Sequence, residues 1–215
     1  MSNITTFANT VRENSMGITE RRQRQKDEVR SSILTTAWSL VKEEGWQSLS
    51  IRKIAEAIEY SVPVIYDHFE NKDAILIEFT KEGFGLLSKK VEKAKDKYTD
   101  PEDQLIAMVD AYWNFAFKNP EYYQLMYGIG MACCECEVEK SVPGLADLRL
   151  SLMTIIEKMI KGKKEEDSVC FKYHTLWSIL HGLISITMMR KTDLADSMNK
   201  KVLNDAVAGF IKNLG

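Results

Sequence analysis

One stretch, residues 50–72, constrains the fold of this chain more than any other: SIRKIAEAIEYSVPVIYDHFENK. Its first half predicts a short amphipathic helix that begins at Ser50, because serine is a favoured N-cap residue. Apolar residues then follow at the i, i+3, i+4, i+7 spacing of one buried helical face: Ile51, Ile54, Ala55 and Ile58. The run Glu59-Tyr60-Ser61 breaks this pattern and predicts a turn.

The second half of the stretch predicts another short helix, from Val62 to Phe69. Ser61 is positioned as its N-cap, and Pro63 falls in the first turn, where a missing N–H costs nothing. So short a helix needs a packing partner, and Ile65 and Phe69 lie on one face to supply the contact. Two helices joined by a tight turn, with polar side chains on the second, predict a reader of the DNA major groove.

The second helix resembles the recognition-helix signature of the TetR family of bacterial transcriptional regulators. The matching elements are a serine cap, a proline, an aliphatic–tyrosine pair, an aromatic residue near the helix end and a following lysine: Ser61, Pro63, Ile65-Tyr66, His68-Phe69 and Lys72. The resemblance spans about residues 26–80 and includes the run Leu49–Arg52. It departs from the family at Glu59-Tyr60, where glycine is usual, so the turn requires a left-handed residue other than glycine.

The resemblance implies an all-α protein with a three-helix, helix-turn-helix head and a larger C-terminal helical domain. We expect a flexible basic arm over residues 1–25, a DNA-binding domain over 26–72, and a ligand-binding and dimerisation domain over 73–215. The implied function is binding of double-stranded operator DNA, as a repressor that a small apolar or aromatic ligand releases. A homodimer is expected through helices 165–190 and 195–213, with Leu203 and Val207 at its interface.

Helical patterns continue through the rest of the chain, and strand patterns are essentially absent. The predicted helices are 27–44, 73–98, 101–117, 121–129, 145–161, 165–190 and 193–214. A hydrophobic content of 45% and a charged content of 28% are typical of a globular protein with a core. No signal peptide is evident, and the longest apolar stretch, residues 175–189, is too short and interrupted to span a bilayer. We therefore expect a cytoplasmic protein without a membrane partner.

Basic residues cluster around the start of the first predicted helix: Arg21, Arg22, Arg24, Lys26 and Arg30. Beside a DNA-reading motif, such a cluster indicates contacts with phosphates or with the minor groove. A disordered, solubilising tail explains the same residues equally well. The net charge of −2 excludes a generic binder of polyanions for the chain as a whole.

Seven residues of the head are expected to contact DNA: Ser50, Arg52, Ser61, Val64, Tyr66, His68 and Lys72. The family resemblance implies phosphate contacts for Arg52, Tyr66 and Lys72. Val64 is placed to press on a thymine methyl group. The structural alternatives are a solvated surface position for Arg52 and packing of Tyr66 against Ile54.

Aromatic, histidine and methionine residues concentrate in the predicted body. The run from Trp177 through His181 to Gly182 resembles the Trp/His/Gly motif of one TetR subgroup, and Asn119-Pro120-Glu121 resembles the Asn-Pro-Glu turn of that subgroup. Such a composition fits an apolar cavity with a few polar groups, although plain core packing explains any single residue. The expected ligand-binding residues are Trp113, Phe117, Tyr123, Tyr127, Phe171, His174, Trp177 and His181.

Three cysteines, Cys133, Cys134 and Cys136, lie close together and indicate an alternative, a metal- or thiol-responsive regulator. Their spacing is not the paired CxxC of a structural zinc site, so a redox-inert loop is the simpler interpretation. No nucleophile-elbow, Walker, HExxH or dinucleotide motif is present, so we expect no enzyme activity, cofactor or metal ion. A helical interaction module without DNA binding is the remaining alternative.

Overall fold

The structure is a computed structural model that describes residues 2–128, 142–160, 166–189 and 193–214 of the 215 residues. Throughout these ranges the regular elements are helical, which confirms the all-α fold. The helices are α1 Ser2–Glu44, α2 Ile51–Ala57, α3 Val62–Tyr66, α4 Lys72–Lys95, α5 Pro101–Lys118, α6 Pro120–Gly128, α7 Pro143–Met159, α8 Glu166–Met189 and α9 Asp193–Lys212, with a 3₁₀ turn at Trp46–Ser48. The chain divides into two compact units, Met1–Leu76 and Ile77–Gly215.

The first helix is longer than the 27–44 that the sequence predicts, and it includes most of the segment that is expected to be a flexible basic arm, residues 1–25. α1 begins at Ser2 and continues without interruption to Glu44. Its first half contains no proline and a single glycine, Gly17, so no residue there breaks the helix. Exposed pairs one turn apart add support, namely Arg24 with Glu20 at 3.8 Å and Gln23 with Asp27 at 2.9 Å.

The head, residues 1–76, follows the predicted helix-turn-helix closely. α1 ends as expected at Gly45, whose φ is +81° and whose N–H donates to the carbonyl oxygen of Val41 at 2.8 Å. The Oγ atom of Ser50 accepts the N–H of Lys53 at 3.2 Å, which confirms the N-cap of α2. Glu59 has a φ of +59°, so a residue other than glycine makes the turn, as predicted.

The second helix of the motif differs from the prediction at both ends. Ser61 occupies the N-cap position of α3 but makes no side-chain cap bond, because Pro63 has no N–H and the Val64 N–H donates to the Ser61 carbonyl oxygen. α3 ends at Tyr66 rather than at Phe69. A turn follows in which the N–H groups of both His68 and Phe69 share the carbonyl oxygen of Ile65.

The second unit packs its helices around one apolar core. α5 contacts α6, α7 and α8, and α8 also contacts α7 and α9. Asp100 caps α5 by accepting the N–H groups of Glu102 and Asp103, as expected for a helix that begins at Pro101. Fully buried side chains from these helices include Leu105, Met108, Tyr112, Phe115, Ile155, Ile156 and Ile184.

The two residues of α9 that are expected at the dimer interface are buried within their own unit. Leu203 and Val207 are 0% and 4% exposed, so they belong to the core of their own unit and not to a dimer surface. The outward side of α9 instead carries Met198 and Val202. Successive residues of a helix are about 100° apart, so a shift of one position moves a side chain from the inner face to the outer one.

One glycine of α7, Gly144, allows α4 and α7 to approach each other closely. A Cβ atom on Gly144 would lie 2.7 Å from the backbone of both Phe84 and Gly85, and backbone atoms cannot move aside as a side chain can. We expect Gly144→Ala to lower the free energy of unfolding by about 1–3 kcal/mol in urea titrations. Gly85→Ala is the matched control, because its Cβ meets nothing within 4 Å, and it should stabilise by up to about 1 kcal/mol. Equal losses in both variants would contradict the close approach.

Candidate functional site

The outward side of the helix-turn-helix carries the residues expected to contact DNA. Within α3, Ile65 is fully buried whereas the neighbouring Tyr66 is 52% exposed, so the helix has one inner and one outer face. Arg52 and Ser61 are also exposed, and Val64 is half-buried on the outer side. Tyr66 thus projects its ring into solvent rather than packing fully within the head.

Arg52 lies in the first turn of α2, where its Nε atom is 2.8 Å from Oε1 of Glu56. Both side chains are mostly exposed, and an exposed ion pair of this kind contributes little to stability. The guanidinium can therefore exchange the Glu56 carboxylate for a phosphate at small cost. This geometry keeps Arg52 both ordered and available.

Lys72 and His68 lie deeper in the head than the sequence indicates. The Nζ atom of Lys72 is 3.5 Å from the carbonyl oxygen of Trp46, and the side chain is half-buried. His68 is also half-buried, and its Nδ1 atom has no hydrogen-bond partner among the described residues. Ser50 uses its hydroxyl group as the cap of α2. These three side chains are thus less available to DNA than Arg52 and Tyr66, which are exposed.

An aromatic cluster in the second unit brings together four of the expected ligand residues: Tyr123, Tyr127, Trp177 and His181. The rings of Trp177 and His181 stack with centroids 5.0 Å apart and 4° between their planes. Tyr127 lies 4.8 Å from His181 and 4.9 Å from Tyr123. The cluster therefore joins α6 to α8 through ring contacts.

Two hydrogen bonds connect the polar atoms of the aromatic cluster. The Tyr112 hydroxyl donates to that of Tyr127 at 2.8 Å, and the Tyr123 hydroxyl lies 2.6 Å from Nδ1 of His181. Burial raises the pKa of all three tyrosines well above the ordinary value and lowers the pKa of His181. At neutral pH the polar atoms of the cluster are consequently uncharged donors and acceptors surrounded by aromatic rings.

Two members of the cluster are absent from the predicted set. Tyr112 of α5 supplies the hydrogen bond to Tyr127, and Phe84 of α4 meets Tyr127 edge-on at 5.6 Å. The apolar period of each helix places both residues on a buried face, but it does not distinguish a core contact from a ligand contact.

The remaining four expected ligand residues lie outside the cluster. Trp113 and Phe117 pack on each other at 4.8 Å, and the Nζ atom of Lys200 in α9 lies 5.4 Å from the Trp113 ring centroid. His174 packs edge-on against Tyr173 at 5.2 Å. The prediction that Phe171 lines a pocket is wrong, because its side chain is 68% exposed. α8 is apolar on several faces, so its pattern does not reveal which face is inside.

An open polar groove of about 440 Å³ lies between α4 and α7, apart from the expected ligand residues. Its floor is a network in which Lys95 pairs with Glu92, and Ser151 donates to the same carboxylate at 2.7 Å. The other lining residues are polar except for one leucine: Ser88, Lys89, Asp147, Leu150 and Thr154. The aromatic cluster and this groove are thus chemically distinct places on one unit.

The alternative of a metal- or thiol-responsive regulator is not tested by the structure. Cys133, Cys134 and Cys136 lie outside the described residues. Within the described ranges, no three His, Cys, Asp or Glu side chains come close enough together to hold a metal ion. A search of the same ranges finds no helix with the length and hydropathy needed to cross a membrane.

Comparison with known proteins finds two family models that together match more than half of the chain. The model described as "Bacterial regulatory proteins, tetR family" matches residues 33–79. The model described as "Tetracyclin repressor-like, C-terminal domain" matches residues 105–208. The first match contains the helix-turn-helix, and the second contains Trp113, the aromatic cluster apart from Phe84, and most of α9.

Curated relatives and solved structures are similar to the chain at low identity. The transcriptional activator FasR of Mycolicibacterium smegmatis is 26% identical over 102 residues, or 47% of each chain. The transcriptional repressor NicS of Pseudomonas putida is 24% identical over 105 residues, or 49% of this chain and 50% of its own. The chain spans about half the length of these relatives. A structure from Rhodococcus sp. RHA1, of unknown function, covers 86% of this chain and 94% of its own, with 21% identity and a TM-score of 0.67.

Proposed function

The chain belongs to the TetR family of bacterial regulatory proteins, and we propose that it is a transcriptional regulator that binds operator DNA sequence-specifically. The observation that carries the proposal is the two-sided α3, with Ile65 turned inward and Tyr66 turned outward beside the exposed Arg52. An enzyme is the weaker alternative, because the curated relatives are named as transcriptional regulators.

We propose that the regulator acts as a homodimer through α8 and α9. Phe171 and Met189 are 68% and 76% exposed, and they lie about five helical turns apart on one face of α8 with Ile186. Met198 and Val202 are likewise exposed on α9, which packs against α8. Several large apolar side chains exposed on two adjacent helices support an interface, because monomeric proteins rarely expose large apolar patches. A dimer also supplies the two heads that a two-fold operator requires.

The aromatic cluster is the proposed effector site, and ligand binding there is proposed to release the protein from its operator as a repressor. The cluster offers uncharged hydrogen-bonding groups among rings, which suits a small apolar or aromatic molecule. Phe84 brings α4 into the cluster, and α4 starts at Lys72, directly after the helix-turn-helix. The proposed assignment to the Trp/His/Gly subgroup rests on Trp177, His181 and Gly182.

Footprinting of the DNA upstream of the protein's own gene tests the proposed function. A dimeric regulator should protect two half-sites whose centres are about 10 base pairs, or a multiple of that, apart. Added random-sequence DNA should not compete at equal concentration, because specific binding is typically at least about 10³-fold tighter. The proposal would be refuted if the protein bound neither this fragment nor any other genomic fragment more tightly than it binds random-sequence DNA.

Substitutions at Arg52 and Tyr66 should weaken operator binding in two distinguishable ways. Arg52→Ala should make the slope of log affinity against log salt shallower by about one unit per subunit, since one phosphate contact is lost. Tyr66→Phe should lower affinity and leave that slope unchanged, because it removes no charge. Glu56→Gln is the control, and it should strengthen binding by freeing Arg52 from its ion pair. An unchanged slope for Arg52→Ala would contradict its phosphate contact.

A further inference from the structure

One face of α1 changes character along its length. Where α1 packs within the head, this face presents Ile33, Ala37 and Val41, which are all buried. The same spacing continues toward the N-terminus with basic residues in place of apolar ones: Arg30, Lys26 and Arg22. Because residues three and four positions apart lie on one side of a helix, all six form a single stripe. We call Arg22, Lys26 and Arg30 the basic stripe.

The basic stripe begins beside the end of the proposed DNA-reading helix. The Arg30 guanidinium carbon lies 4.5 Å from the ring centroid of Phe69, three residues after the end of α3. At about 1.5 Å per residue, Lys26 lies about 6 Å and Arg22 about 12 Å further along α1. The face of α1 that is buried at Ile33, Ala37 and Val41 thus continues toward the N-terminus as an exposed, positively charged segment.

Acidic residues do not share the side of α1 that carries Arg22 and Lys26, the two exposed members of the basic stripe. Glu20 pairs with Arg24 and Asp27 accepts a bond from Gln23, and both carboxylates are turned about 100° or more away from Lys26 around the helix. Arg22 and Lys26 are exposed and have no ion-pair partner within the described ranges. Arg22 and Lys26 therefore present two exposed positive charges on the side of α1 that is buried further along at Ile33, Ala37 and Val41.

We propose that Arg22 and Lys26 bind the phosphate backbone of duplex DNA that flanks the bases read by α3. The inference rests on the proposed function, and charge complementarity identifies the occupant: a row of cations about 6 Å apart suits a row of phosphates. Such contacts carry no base information, so they extend the length of DNA covered and raise affinity without altering the operator sequence. The helical form of this segment holds both cations at fixed positions.

Paired double variants on opposite faces of α1 test the proposal. Arg22→Gln/Lys26→Gln should make the salt slope on a 40-base-pair duplex containing the protected site shallower by about two units per engaged subunit. Arg21→Gln/Arg24→Gln removes the same charge from the other face of the same helix and should leave the slope nearly unchanged. Arg22→Lys/Lys26→Arg keeps the charge and should retain the wild-type slope. Circular dichroism should show equal helix content in all three.

Shortening the duplex locates the contact. Without the flanks, the wild type should show the same slope as Arg22→Gln/Lys26→Gln, because the stripe then has no phosphates to bind. Equal slopes for the two glutamine variants, or a loss that persists on the short duplex, would overturn the proposal. On a 40-base-pair duplex of random sequence, the salt slopes of Arg22→Gln/Lys26→Gln and Arg21→Gln/Arg24→Gln should differ by the same amount. That result separates failure of the stripe from failure to find an operator.

Discussion

A charge placed in the exposed apolar surface of α9 is expected to yield folded monomers that no longer protect a two-fold operator. Val202→Asp is the substitution, since Val202 is 44% exposed and contributes little to the core of its own unit. A buried, unpaired carboxylate at the proposed interface would oppose association strongly. Losing the second head removes the gain of bivalent binding, so operator affinity should fall by about 10²–10⁴-fold.

Sedimentation and footprinting on the same samples measure both consequences. Asn204→Asp is the matched control, because it adds the same charge to α9 at an exposed position about 160° around the helix from Val202. It should remain dimeric and bind DNA normally. Leu203→Asp should instead lower the cooperativity of unfolding, because Leu203 is fully buried. A Val202→Asp protein that stays dimeric would place the interface elsewhere.

Local signals in the sequence predicted most helix ends, because an end depends on a few adjacent atoms. Gly45 ends α1 through its left-handed backbone, and Asp100 begins α5 by capping its first N–H groups. The early end of α3 is less predictable, since Phe69 keeps its buried position after the helix has already tightened into a turn. The start of α1 was not predicted, because a polar, charged segment without a helix-breaking residue can be either helix or coil.

The face that a helix buries is harder to predict when the helix is apolar on several sides. α9 carries the pair Met198 and Val202 and the pair Leu203 and Val207 at the same spacing, and only the packing decides which is inside. On α8, Trp177 and His181 lie in the aromatic cluster whereas Phe171 faces solvent. Residue type predicted the chemistry of the cluster, but the long-range contact from Phe84 required the fold.

Replacing Trp177 is expected to weaken effector binding, and therefore effector-induced DNA release, while leaving DNA binding without effector nearly intact. Its ring stacks on His181 at 5.0 Å, so Trp177→Phe removes part of the ring surface of the cluster and keeps an aromatic residue. An effector shifts operator affinity only through its differential affinity for two conformations, typically about 5–150-fold. We expect most of that shift to disappear. The measurement is release of a labelled operator duplex by a panel of small apolar and aromatic compounds.

Trp113→Phe is the matched control, because Trp113 is a buried tryptophan of the same unit that packs on Phe117 outside the cluster. It should destabilise the protein comparably and retain the response to effector. If both variants lose the response to effector and also unfold less cooperatively, Trp177 is simply a core residue. A full response in Trp177→Phe would exclude the cluster as the effector site. The groove beside Lys95 and Ser151 would then become the candidate effector site. Its polar side chains suit charged or strongly hydrogen-bonding compounds, and a second panel of such compounds tests it directly.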